Sequence, residues 1–136
     1  MLWVKELYFW RMKETSPSDD IQAQLYSLVI PQEILEHFEV TSVTERENAV
    51  TIVLIEKVSN IHKNISSSEA VLNGYMNQLE LQSFPIQAKS CYLQLLRRRW
   101  KKKGSDGTQS YYNEYDFAAS GTKSTKAFGA FLKENF

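Results

Sequence analysis

Seven consecutive residues, Arg97-Arg98-Arg99-Trp100-Lys101-Lys102-Lys103, place six cations around one indole. Guanidinium and ammonium groups at this density are chemistry for an anionic polymer, because each can neutralise one phosphate. The run continues an apolar, strand-like segment (Cys91, Tyr92, Leu93, Leu95, Leu96) without a break. It ends in a turn cluster, Gly104-Ser105-Asp106-Gly107. A second strand-like stretch from Ser110 to Phe117 then carries three tyrosines, so the pattern predicts a β-hairpin with a cationic far end. Lys123 and Lys126, beside the start of a C-terminal helix, add a second candidate phosphate clamp. The nucleic-acid-binding candidates are therefore Arg97, Arg98, Arg99, Trp100, Lys101, Lys102, Lys103, Lys123 and Lys126.

Strand parity sorts the hairpin. Residues two apart share a face, which puts Arg97 and Arg99 with Tyr112, Glu114 and Asp116, and Arg98 and Trp100 with Tyr111, Asn113, Tyr115 and Phe117. Arg97 and Arg99 are then expected to pair across the strands with Glu114 or Asp116, and Arg98 to stack on a tyrosine. Lys101, Lys102 and Lys103 have only Asp106 as a local acid, so phosphate contact is expected of them and of Arg98. A row of lysines at a hairpin tip also protects a strand edge from aggregation.

Formal net charge is zero over 136 residues, but the charge is divided. Residues 1–88 carry −6 and residues 89–136 carry +6. Such a division favours a polyanion-binding face, although the acidic part could neutralise the basic part on folding. Other chemistry is weakly supported. His37 and His62 lack metal-ligand spacing, and the single cysteine, Cys91, allows neither an intrachain disulfide nor a multi-cysteine zinc site. Gly121-Thr122-Lys123-Ser124 superficially resembles a phosphate loop but lacks the upstream glycine and the adjacent Gly-Lys pair. No nucleophile has a base at a readable spacing. The expectation is no catalytic residue, no metal and no cofactor.

The elements that position the basic run are read from periodicity. Residues 2–13 can form a short helix, and Thr15 to Asp20 reads as a linker and helix start capped by Asp19 or Asp20. Ile21, Leu25, Leu28 and Val29 share a helical side. Pro31 separates that helix from a second one with Ile34, Leu35 and Phe38 as its stripe. Val40 to Arg46 and Ala49 to Lys57 predict paired strands, the second central and covered by helix on one side. Ser59 to Glu69 reads as a loop, Asn73-Gly74 as a turn, and Leu79 with Leu81 as a short strand before Phe84-Pro85. Ser124 or Thr125 caps a last helix turning Ala127, Phe128, Phe131 and Leu132 inward. The fold class is α+β: one domain, a mostly antiparallel sheet with a basic β-hairpin, short helices in the N-terminal part and one C-terminal helix. Residues 1–18 form an N-terminal extension and residues 19–136 the domain. No apolar run is long enough to cross a membrane and no secretory signal is recognisable, so the expected location is cytoplasmic.

Particular residues point further. Phe84-Pro85-Ile86, Lys89, Tyr92-Leu93, Arg97 to Trp100, Gly121 to Thr125 and the ending Ala127-Phe128-Gly129-Ala130-Phe131-Leu132-Lys133-Glu134 resemble the stand-alone N-terminal-region proteins of ISAon-type insertion-sequence transposases. Leu28 to Pro31 and Ile34 to Phe38 match the start of that family. The likeness spans about Ile21 to the C-terminus, is firm from Phe84 and is loose from Thr44 to Val71. The hairpin more distantly resembles the zinc-binding N-terminal segment of ISL-type transposases, without its cysteines. The resemblance implies recognition of double-stranded DNA at the element's terminal inverted repeats, as a DNA-binding accessory in transposition. It also implies that strand cleavage belongs to a separately encoded catalytic transposase. Two alternatives stand beside this: a module that docks onto the catalytic transposase through the acidic helices from Asp19 to Glu39, and an RNA-binding regulatory protein that stacks bases on tyrosines.

Overall fold

The computed structural model describes residues 17–136. The helix expected over residues 2–13 lies outside them. Helix α1 spans Pro17–Val29, α2 spans Gln32–Leu35, and α3 spans Lys126–Asn135. Six strands complete the α+β fold: β1 (Phe38–Glu45), β2 (Ala49–Glu56), β3 (Ala70–Tyr75), β4 (Leu79–Ile86), β5 (Lys89–Leu96) and β6 (Arg98–Lys102). Four strands form one sheet in the order β1-β2-β5-β4, and β3 pairs with β6 in a separate two-stranded ribbon. All strand pairs are antiparallel except β2 with β5.

Alternation builds the core. In β2, Val50, Ile52 and Leu54 point to the covered face. They stand in register with Cys91, Leu93 and Leu95 of β5, and all six are buried. Each such aliphatic side chain contributes about 1.5–3 kcal/mol on leaving water. Ile30, Ile34 and Phe38 cover this layer from the Pro31 region, and Phe117 closes it. The reading of Ala49 to Lys57 as a central strand holds over Ala49–Glu56, as does the loop from Ser59 to Glu69.

Several expectations change. Helix α1 begins at Pro17, whose missing amide suits a first turn, so Asp19 and Asp20 sit in that turn rather than capping it. The buried side of α1 is Tyr26 and Val29, leading into Ile30; Ile21, Leu25 and Leu28 are 58%, 57% and 74% exposed. Helix α2 stops at Leu35, and Phe38 opens β1. Asn73-Gly74 is a β-bulge instead of a turn. Leu72 faces Trp100 and Tyr75 faces Arg98, leaving two residues of β3 opposite Arg99 alone. Glycine serves both structures, since Gly74 takes φ +81°.

The predicted hairpin is only partly formed. Its first strand breaks at Arg97 and passes from the main sheet into the ribbon. Both edges of β5 are already occupied by β2 and β4, and one edge of β6 by β3. The tyrosine-rich stretch therefore meets the basic strand at one point, where Trp100 N donates to Tyr111 O at 2.8 Å and Tyr111 N to Trp100 O at 2.9 Å. The hairpin that β5 does make is with β4, through Gln87 (φ 51°) and Ala88 (φ 63°). Two left-handed residues are the backbone of a type I′ turn, here made without glycine or asparagine.

The C-terminal part covers the outer edge of β4. Gln82 N donates to Lys123 O at 2.8 Å and Thr125 N to Gln82 O at 2.9 Å. Thr125 caps α3 as expected, its Oγ1 accepting from Phe128 N at 3.3 Å. Phe128 is buried, whereas Ala127 is exposed and Phe131 is 43% exposed. Both phenylalanines pack against Phe84, with ring centroids 5.1 and 5.5 Å away. Gly129 admits Ala119, whose Cβ would lie 2.5 Å from any Cβ added there.

Candidate nucleic-acid interface

The basic run is held by its one apolar member and by acceptors distant in sequence. Trp100 is buried opposite Leu72 and is the anchor of the ribbon. At the junction between the sheets stands Glu56, the last residue of β2 and fully buried. Its Oε1 accepts from Arg98 N at 2.9 Å. Its Oε2 accepts from Asn113 Nδ2 at 3.1 Å, from Asn60 Nδ2 at 3.4 Å and from the Tyr115 hydroxyl. Asn60 also donates to the Tyr115 oxygen, and Asn113 to Asn60 O at 2.6 Å. A buried carboxylate is tolerable only when donors satisfy it, and four do so here. Burial, reinforced by the hydrogen bond to Glu56, pushes the Tyr115 phenol well above its ordinary pKa. The Tyr115 ring stacks on Phe117, 5.0 Å between centroids, and meets Phe38 edge-on at 5.1 Å.

The three arginines divide differently from the parity expectation. Arg97 Nη1 donates to Asn113 O at 3.2 Å, with its guanidinium carbon 5.6 Å from the centre of the Tyr112 ring. Arg98 Nε donates to Glu56 O at 2.7 Å, and the guanidinium lies 6.0 Å from the Tyr75 ring, so the expected tyrosine stack exists, on a residue of β3. Arg99 Nε donates to Asn73 O at 2.7 Å, across the bulge. Neither Arg97 nor Arg99 pairs with Glu114 or Asp116. The ribbon, not the tyrosine stretch, neighbours Arg99, and Asp116 lies 3.8 Å from Lys126.

Each guanidinium is thus oriented by a carbonyl. A carbonyl satisfies one N–H without cancelling the charge, and an arginine has five donors. Among the described residues the ion pairs are Lys89 with Glu45, at 2.8 Å, and Lys126 with Asp116; none involves Arg97–Arg99 or Lys101–Lys103. Lys102 and Lys103 are exposed and Lys101 is half-buried. Asp106, the one nearby acid, is engaged by Thr108, which donates its amide at 3.0 Å and its hydroxyl at 2.8 Å. Those bonds hold the Asp106 carboxyl below its usual range, with the Lys101 charge a lesser influence.

Six cations therefore lie together on β6 and its flank. Lys123 and Lys126 belong elsewhere, beside the outer edge of β4 and at the start of α3, and among the described residues no hydrogen bond or ion pair joins them to β6. Sequence patterning gives Glu56 and Asn60 no role, Asn73 only a place in a turn, and Asn113 only a place on the face of Arg98 and Trp100. Most of their bonds span 16 to 59 positions, and isolated polar residues so far from their partners leave no local pattern. Only Glu56, an acid ending an apolar strand, carried a hint. Among the described residues, no three His, Cys, Asp or Glu side chains converge on a point, and no helix is long and apolar enough to cross a membrane. Comparison with protein-family models, curated proteins and solved structures returns no match to this chain.

Proposed function

We propose that this chain is a DNA-binding module without catalytic activity of its own, acting with a separately encoded catalytic transposase of a bacterial insertion sequence and recognising the element's ends. The observation that carries this reading is the charge on β6 and its two flanking residues: six cations in seven positions, three of them fixed by carbonyls, and none in an ion pair with a carboxylate among the described residues. Like charges held side by side repel one another, and a polyanion relieves that repulsion. Lys101, Lys102, Lys103 and Arg98 take phosphates. Arg97 and Arg99 read base edges, where a guanidinium can meet guanine bidentately. The insertion-sequence assignment rests on the sequence resemblance. Its test is binding to a terminal-repeat duplex and to a scrambled duplex of equal composition. The repeat is expected to bind more tightly, with the margin lost in Arg97→Ala or Arg99→Ala. Equal affinity for both duplexes would remove the end-recognition role, and absence of duplex binding at low salt would remove the DNA-binding role.

One observation favours a second reading, docking onto the catalytic protein: the exposed row of Ile21, Leu25 and Leu28 on α1, with Asp20 on the same helix. In that case the basic-strand variants leave DNA binding by the assembled complex unchanged.

A further inference from the structure

Beside β6 runs a groove of about 650 Å³ between the loop at 61–64 and the segment at 109–114. Its lining includes three rings, His62, Tyr111 and Tyr112, and two residues that carry side-chain amides, Asn64 and Gln109. Tyr111 and Tyr112 are also the rings against which the basic run rests. Lys102 Nζ lies 5.9 Å from the centre of Tyr111, and the Arg97 guanidinium 5.6 Å from that of Tyr112. The His62 ring is 6.1 Å from Tyr111 and tilted by 52°. Its Nδ1 accepts from Asn64 N at 3.1 Å, which leaves Nε2 as the proton-bearing nitrogen of the neutral ring. The backbone pair between Trp100 and Tyr111 and the Arg97–Asn113 bond fix this wall to the basic strand.

We propose that this groove holds an unpaired nucleotide of a DNA strand whose backbone follows β6, a deepening that rests on the DNA-binding reading above. Flat half-buried rings offer stacking surface to any base, and amides beside them can meet a base edge. The cations behind the rings lie where the flanking phosphates must run. A purely apolar ligand would strand the amides, and a free anion would meet the Glu114 carboxylate as well as the Lys63 ammonium on the lining. A paired base presents no free face, so the groove selects duplex with an unpaired tail over blunt duplex.

The test uses the full chain and one duplex in two forms, blunt and with a short 3′ single-stranded tail carrying 2-aminopurine. Wild type is expected to bind the tailed form at least about fivefold more tightly, the lower end of what one stacked base contributes. It should also quench the 2-aminopurine. His62→Ala and Tyr112→Leu should erase that margin and the quench while blunt-duplex affinity stays within about twofold; Tyr112→Phe should keep both. Wild type binding blunt and tailed duplex equally, without quenching, overturns the groove assignment and leaves the basic-strand reading standing. Persistence of the margin in both groove variants also overturns it. Failure to bind any DNA, or binding of single-stranded RNA alone, overturns both.

Discussion

Glu56→Gln removes one charge and changes one atom, yet the geometry around Glu56 leaves the amide nowhere to fit. If its nitrogen replaces Oε1, it faces the Arg98 N–H; if it replaces Oε2, it faces the amides of Asn60 and Asn113. Either orientation sets donor against donor in a site with no exposure. Each buried donor left without an acceptor costs about 1–3 kcal/mol, and bonds to a charged acceptor are the stronger kind. A loss of roughly 2–4 kcal/mol follows, or about 8–16 °C in Tm for a domain of this size. Urea unfolding followed by circular dichroism measures it. DNA affinity supplies an independent sign test. Losing a negative charge next to the basic run would by itself tighten DNA binding. Loosening the Arg98 backbone should weaken it, and weakening is the expected result. A stability change under about 0.5 kcal/mol, with DNA affinity raised, would refute the view that Glu56 organises the basic strand.

Three further outcomes follow from local geometry. Gly129→Ala should destabilise by about 1–3 kcal/mol, because the clash with Ala119 outweighs the roughly 1 kcal/mol gain in helix propensity; adding Ala119→Gly should recover that loss in chemical unfolding. Ala88→Gly should raise the urea midpoint by about 0.5–1 kcal/mol equivalent, since glycine adopts the left-handed conformation at φ 63° without strain; an unchanged midpoint would contradict this. Tyr115 has a folded pKa above its unfolded value of about 10, so its contribution to stability is complete below that pH and lost as pH rises through it and beyond. In an absorbance titration at about 295 nm its ionisation should coincide with collapse of the near-UV circular dichroism, and ionisation ahead of unfolding would count against its buried bond to Glu56.

What could be read in advance was local. The β1–β2 pair, the two helices around Pro31 and the Thr125 cap each depend on residues within a few positions, where periodicity and capping chemistry apply. The basic run itself was legible as charge. Its surroundings were not, because Glu56 meets Arg98 across 42 positions and Tyr115 across 59. Nothing in an alternating pattern says that β5 will have both edges filled, which is what diverts Arg98 to Lys102 into a second sheet with β3. The α1 stripe misled for a related reason: helical spacing identifies which residues share a side, but packing against the sheet chose Tyr26 and Val29 over Ile21, Leu25 and Leu28.

The most direct test of the central claim is the salt dependence of duplex binding by wild type and by the Lys101→Ala, Lys102→Ala, Lys103→Ala triple variant. Each neutralised phosphate contributes about −0.9 to the slope of log affinity against log salt, so the triple variant should flatten that slope by roughly 3. None of the three lysines belongs to the core cluster, so the fold should be retained. Affinity should fall almost equally on every duplex sequence, as phosphate contacts carry no base information. An unchanged slope in the triple variant, or a wild type without duplex affinity at low salt, would contradict the claim that β6 is a phosphate-binding strand.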